Sequence, residues 1–194
     1  DIEELQVKGP TVMKGYWKRP DATAEVFTED GWFRTGDQAD LSDAGRIRIK
    51  GRIKEIIVTS TGEKIPPTDM ELAIQTDPLF EQVMVVGEAR PFITALAVVN
   101  EAEWEKFAKE FNVDPSDDRM LMRRDIRMAA LKRLKKAASR FPQYGIPRNI
   151  RLLKEHWTVD NGCLTVTMKL RRPIIREKLR AEIDELYTVP QNNV

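Results

Sequence analysis

One cysteine (Cys163) and one histidine (His156) in 194 residues remove several chemistries at the outset. A lone thiol makes no internal disulfide, which fits a reducing compartment, and a cytoplasmic location is expected. It also leaves no Cys/His set of zinc-binding spacing, so no metal ligand is assigned to this chain. His156 belongs to no recognisable catalytic carboxylate or thiol pattern and reads as a half-buried ring packed near Trp157 rather than a base. No apolar run approaches the roughly 18 residues of a membrane span. An excess of charge is missing too: 32 Lys and Arg stand against 31 Asp and Glu, so any acidic partner has to be argued from local clusters. Such a cluster exists at Arg119, Arg123, Arg124, Arg127, Lys132, Arg133, Lys135, Lys136 and Arg140. No aromatic residues interleave with it in the manner of a nucleic-acid platform, and no nucleic acid is expected as a partner.

What is present is the material of a folded core. Hydrophobic residues make up 41% and charged residues 32%, enough apolar surface for one domain or one and a half at this length. The first fifty residues read as β-structure and turns. Leu5-Gln6-Val7 alternates, Asp30-Gly31 and Asp43-Ala44-Gly45 turn, and Arg46-Ile47-Arg48-Ile49-Lys50 predicts one wet and one buried face. Gly51 opens a segment whose β-branched run Ile53–Val58 predicts a buried strand. Ser60-Thr61-Gly62 loops, and Thr68 opens a helix to about Thr76, with Glu71 completing a capping box. Gln82–Gly87 and Thr94–Asn100 predict paired strands. Asn100 and Glu103 cap a helix carrying Trp104, Phe107, Ala108 and Phe111 at helical spacing. A long helix is expected over about Asp118–Ser139, with Ile126, Ala130, Leu134 and Ala137 inward. A short strand follows at Ile150–Leu153 and a turn at Asn161-Gly162. The last helix starts at Pro173 and buries Ile175, Leu179, Ile183 and Leu186. The tail from Val189 is expected to fray.

Two segments carry a resemblance: Gly31-Trp32-Phe33-Arg34-Thr35-Gly36-Asp37 and Gly51-Arg52-Ile53-Lys54. Together they resemble the adenylate-forming (AMP-binding) superfamily of acyl-CoA synthetases, adenylation domains and luciferases. A third segment, Thr165-Val166-Thr167-Met168-Lys169-Leu170-Arg171-Arg172, is similar to that family's closing motif. Many members have a glycine before the lysine. This chain has Met168, a form that looks like the long-chain fatty acyl-CoA synthetase branch. The mixed order of strands and helices, with short antiparallel turns, predicts an α+β fold, and the resemblance implies its domains. A small C-terminal lid domain over 54–194, a three-stranded sheet with packed helices, would follow a β-rich edge of the large adenylating domain over 1–53. Measured against the family the chain starts late, without the phosphate loop and most of the acyl pocket. The expectation is a C-terminal fragment of a longer enzyme, inactive by itself.

The resemblance also implies roles. Lys169 is the catalytic candidate, an ammonium that draws the substrate carboxylate and the α-phosphate of ATP together; read alone, it is a lysine in a basic stretch. Asp37 would accept hydrogen bonds from ribose hydroxyls, and Arg52 would make a second nucleotide contact. Without the resemblance, the one is an Asp in a glycine turn and the other a surface Arg. Lys54 falls at the hinge on which the lid would swing. Ser60, Thr61 and Gly62 would line the CoA channel, Gly62 because a side chain would obstruct close approach. The implied reaction makes acyl-AMP from a fatty acid and ATP, then transfers the acyl group to CoA, with Mg2+ held mainly by the large domain. One alternative is an acyl-AMP ligase or adenylation domain that loads a carrier protein. Another is a non-catalytic module whose basic helix meets anionic lipid or nucleic acid at its periphery.

Overall fold

The computed structural model describes residues 4–43 and 45–188. The chain divides into two compact units, Asp1–Ile56 and Ile57–Val194.

The first unit is an antiparallel sheet of β1 (Glu4–Val7), β2 (Phe33–Asp40) and β3 (Arg48–Arg52), with β2 central. Helix α1 (Pro20–Val26) starts on a proline and buries none of its residues. Within this unit the buried apolar residues are Ala39 and Ile56 among those described. The alternation of 46–50 does not bury a face: Ile47 is 60% and Ile49 48% exposed. The reason is architectural, since β3 is an edge strand of this sheet. The strand expected from Gly51 onward is also broken. Ile53–Glu55 form a 3-10 turn, and a paired strand resumes only at Ile57.

The second unit holds the main core. A short hairpin, β4 (Ile57–Val58) and β5 (Lys64–Ile65), leads into α2 (Pro67–Ile74). Then come β6 (Phe80–Val86), β7 (Thr94–Val99), α3 (Glu101–Glu110), α4 (Arg124–Ala137), β8 (Asn149–Leu153), α5 (Arg172–Lys178) and α6 (Arg180–Thr188). Strands β6 and β7 pair antiparallel, with Val83 opposite Ala97, while β8 joins β7 in parallel, with Ile150 beside Ala95. The sheet is therefore the expected three-stranded one, with helices on both faces. Val83, Val85, Ala95, Ala97, Val99, Ile150 and Leu152 pack against Met70, Ile74, Trp104, Phe107, Ile126, Ala130 and Leu134. Met84, Val86, Leu96 and Val98 meet Trp157, Leu164, Ile175, Ile183 and Leu186 on the other side. This double cover explains the run Ala95-Leu96-Ala97-Val98-Val99: all six β7 residues are buried, so its sequence cannot alternate.

Three local expectations are corrected. Pro66 is the N-cap of α2 and Pro67 its first residue, so Thr68 lies inside the helix and no capping box forms. Proline sets the start because its missing N–H and fixed φ suit the first turn. The helix expected over 118–139 is two elements. Asp117 accepts the Arg119 N–H at 3.0 Å and caps a 3-10 turn over Asp118–Met122. Arg123 is then extended before α4 begins. The last helix likewise breaks at Leu179, yet Ile175, Ile183 and Leu186 are buried together and Leu179 packs on them. Asn100 does cap α3, its side chain accepting the Glu103 N–H. Residues 189–194, where fraying is expected, and Ala44 of the Asp43–Gly45 turn lie outside the described residues.

Candidate active site

Within the first unit, Asp37 and Arg52 are cross-strand partners on β2 and β3. The Arg52 Nε lies 3.0 Å from Asp37 Oδ1, and its Nη1 donates to the Thr35 carbonyl at 3.3 Å. Asp37 is thus a strand residue, not a turn residue. The glycine beside it matters differently: Gly36 has φ +72 within the irregular stretch of β2, where Thr35 Oγ1 accepts the Asp37 N–H at 3.1 Å. The Arg52 side chain is 55% exposed and the Asp37 side chain 29%, so both remain accessible. A carboxylate beside a guanidinium, both reachable from solvent, offers acceptors and donors to a diol. Lys54 sits exposed on the 3-10 turn that follows β3.

In the second unit, Ser60-Thr61-Gly62 form the tip of the β4–β5 hairpin. The Gly62 N–H donates to the Thr59 carbonyl at 3.0 Å, and the Thr59 and Thr61 hydroxyls share a 2.9 Å hydrogen bond. The tip is tied to the turn after β6 by the Ser60 N–H, which donates to the Arg90 carbonyl at 2.9 Å. Gly62 has φ +85, and a Cβ built there meets nothing within 4 Å. Within the protein itself, what favours glycine here is the dihedral.

Lys169 lies in a tight hairpin closed by an antiparallel bridge between Leu164 and Leu170. The Thr165 N–H donates to the Lys169 carbonyl at 2.9 Å. Met168 N–H donates to the Thr165 carbonyl at 2.8 Å, and Lys169 N–H to Thr165 Oγ1 at 3.1 Å. Met168 takes φ +61, the left-handed region glycine fills without strain. Val166 and Met168 are 86% and 68% exposed, and Lys169 is exposed between polar and apolar neighbours. Its ammonium has no ion-pair or hydrogen-bond partner among the described residues, whereas the nearby arginines do. Arg171 donates to the Gly162 carbonyl at 3.3 Å. Arg172 donates two hydrogen bonds to the Glu71 carboxylate at 2.7 and 2.6 Å.

The Glu71–Arg172 pair escaped the sequence reading, which assigned Glu71 to a capping box. The available signal was Arg172 itself, the last residue of the Thr-x-Thr-x-Lys-x-x-Arg pattern. The basic run is less basic in space than in sequence. Arg119 pairs with Asp117, Arg123 with Asp125, and Arg133 with Asp77. Arg127 is half-buried, donating to Asn149 Oδ1 at 2.8 Å. Burial and the neighbouring Arg151 charge lower its pKa. Lys132, Lys135, Lys136 and Arg140 remain exposed. His156, which was assigned no acidic partner from sequence, has its Nε2 3.2 Å from Glu81 Oε1. A cavity of about 420 Å3 lies between the β6–β7 turn and α5–α6. There Arg90 is paired with Asp184 and lies 4.8 Å over the Tyr187 ring, so the lining carries both charges. Among the described residues no group of three or more His, Cys, Asp or Glu is placed to hold a metal ion. No helix among them is long and apolar enough to cross a membrane.

This arrangement is a family architecture. The family described as AMP-binding enzyme C-terminal domain matches residues 54–190, and the chain belongs to it. Among curated relatives, it is 36% identical over 195 residues to the long-chain-fatty-acid–CoA ligase FadD15 of Mycobacterium tuberculosis, covering 96% of this chain and 31% of that protein. It is 33% identical to the chloroplastic long-chain-fatty-acid–[acyl-carrier-protein] ligase AEE15 of Arabidopsis thaliana, covering 95% of this chain and 25% of that one. Among solved structures, the AMP complex of the A-PCP didomain of a carboxylic acid reductase from Segniliparus rugosus matches with a TM-score of 0.79 at 28% identity. That match covers 95% of this chain and 24% of the didomain. The chain thus spans under a third of the length of these relatives.

Proposed function

We propose that this chain is the C-terminal part of an AMP-forming acid–thiol ligase that activates a fatty acid and passes it to CoA. In this reading residues 1–53 are the edge of the large adenylating domain and 54–194 its mobile lid. The division between compact units at Ile56 and the family match from residue 54 support that boundary. One observation carries the assignment. In a basic segment where Arg171 and Arg172 are committed to protein acceptors, Lys169 presents, from a closed, exposed hairpin, an ammonium without a partner among the described residues.

The chemistry follows from that group. Lys169 neutralises the acid's carboxylate and the α-phosphate of ATP, which otherwise repel, and holds them in line. A carboxylate oxygen attacks the α-phosphorus, the bond to the bridging oxygen breaks, and pyrophosphate leaves with the charge that Lys169 has stabilised. Asp37 and Arg52 take the ribose and phosphate ends of the nucleotide. Lys54 is the hinge, and Ser60, Thr61 and Gly62 line the thiol's path in the second pose. There the CoA sulfur attacks the acyl carbon and AMP departs. Mg2+ would be held elsewhere in the full-length protein. The single buried thiol favours a cytoplasmic setting.

The test uses the full-length protein that carries this chain, with fatty acids of graded length. Pyrophosphate release should require Lys169, with Lys169→Ala lowering turnover roughly 100-fold or more. CoA consumption should match it, with long acids preferred. Full activity in Lys169→Ala would overturn the assignment. Pyrophosphate release without CoA consumption would favour a carrier-protein acceptor, the one named for AEE15.

A further inference from the structure

We propose that Glu71 and Arg172 form a buried strut that aims the Lys169 hairpin, so that both are positioning residues for the adenylation step. The proposal rests on the ligase reading of Lys169.

Glu71 is 5% exposed, on α2. Its Oε1 accepts the Val85 N–H of β6 at 2.7 Å and one Arg172 N–H at 2.7 Å, while Oε2 accepts a second from Arg172 at 2.6 Å. Arg172 is the first residue of α5 and lies three positions after Lys169. One carboxylate therefore fastens α2, the sheet and the base of the lysine hairpin across 101 residues of sequence. Two further backbone bonds of the hairpin are local. Leu164 N–H donates to the Thr158 carbonyl and Arg171 N–H to the Cys163 carbonyl, neighbours in sequence that move with it.

Stability is a poor explanation for such a pair. Removing two charges from water costs several kcal/mol, and a well-packed apolar pair often serves the fold as well. A bidentate pair supplies direction instead: its two parallel bonds fix the plane and azimuth of the guanidinium. Here that fixes where α5 begins and hence where Lys169 points. An error of about 1 Å in a reacting group costs on the order of 100-fold in rate.

The two half-reactions separate positioning from mere folding. In the full-length protein, Glu71→Gln with Arg172→Met keeps an acceptor for Val85 and removes both buried charges. We expect adenylation kcat, read as pyrophosphate release, to fall at least tenfold with the KM for ATP within about threefold. Transfer to CoA from supplied acyl-adenylate, which does not use Lys169, should stay within twofold, and the melting temperature should stay close to that of the parent. Glu71→Gln alone, where it folds, should show the same split. Wild-type adenylation in the double variant would overturn the strut, and so would an equal fall of both half-reactions. Lys169→Ala is run beside it. If that variant adenylates normally, the ligase reading falls and the strut with it. If it is inactive while the double variant is normal, only the strut falls.

Discussion

Gly62 and Met168 hold the same left-handed backbone conformation in the two loops that carry candidate chemistry, at φ +85 and +61. They should respond oppositely to substitution. Gly62→Ala has room for its Cβ, so its cost is the dihedral penalty, about 1–2 kcal/mol, and Gly62→Asn should cost less. Met168→Gly removes that penalty but loosens the unfolded chain by about 0.4–1 kcal/mol. Its melting temperature should therefore hold or rise slightly, while Met168→Val should lower it. Thermal denaturation of the four variants checks the pair. The sequence showed that Met168 departs from the family's glycine. It did not show that the backbone keeps the glycine conformation regardless, because the turn is set by Thr165 accepting the Lys169 and Met168 amides. Asp37 and Arg52 were likewise legible singly and not as a pair, since pairing depends on strand register.

At the scale of elements, α4 is held by its apolar stripe and by one partly buried ion pair. Leu134 is fully buried against the sheet, and Leu134→Ala should cost about 2–5 kcal/mol in a denaturant titration. Asp77, in the turn after α2, is desolvated, which raises its pKa. The Arg133 hydrogen bonds, the Leu79 N–H and the charges of Arg133 and Lys136 outweigh this, so the net shift is downward. A depressed carboxyl adds stability above its unfolded pKa near 4 and loses it as pH falls through the folded value. Asp77→Asn should therefore be less stable than the parent at pH 7, and the gap should close as the pH falls below about 4. A gap independent of pH would sink this account. Helical spacing located α3 and α4, because an amphipathic stripe is a local signal. It missed the break at Arg123, because a carboxylate cap one turn upstream outcompeted a helix the side chains would have tolerated. The parallel partnership of β7 with β8 was invisible for a different reason: pairing direction depends on a crossover, and no residue pattern within the strands states it.

The molecule as a whole divides unequally. The first unit buries Ala39 and Ile56 among its described residues, whereas the second packs a sheet between two apolar layers. Produced alone, residues 57–188 should melt cooperatively with dispersed amide NMR resonances. Residues 4–56 alone should show no cooperative transition, since so little apolar surface is removed from water. The 194-residue chain should make no acyl-CoA from fatty acid, ATP and CoA; turnover by it would refute the division of labour proposed above. A three-stranded sheet with packed helices was readable from composition and order. The exposure of Ile47 and Ile49 was not, because alternation shows that a face is apolar and says nothing about what covers it.

Strand β7 lies between β6 and β8, and β8 follows only after residues 100–148. On the ribosome the β6–β7 hairpin is therefore made first and waits with one edge unpaired. At roughly 5–20 residues per second that interval lasts a few seconds. During it, the most apolar strand of the protein offers open backbone donors and acceptors to any passing extended chain. Shortening that wait, by a circular permutation that brings β8 out before β7, should raise the soluble yield without altering the finished fold.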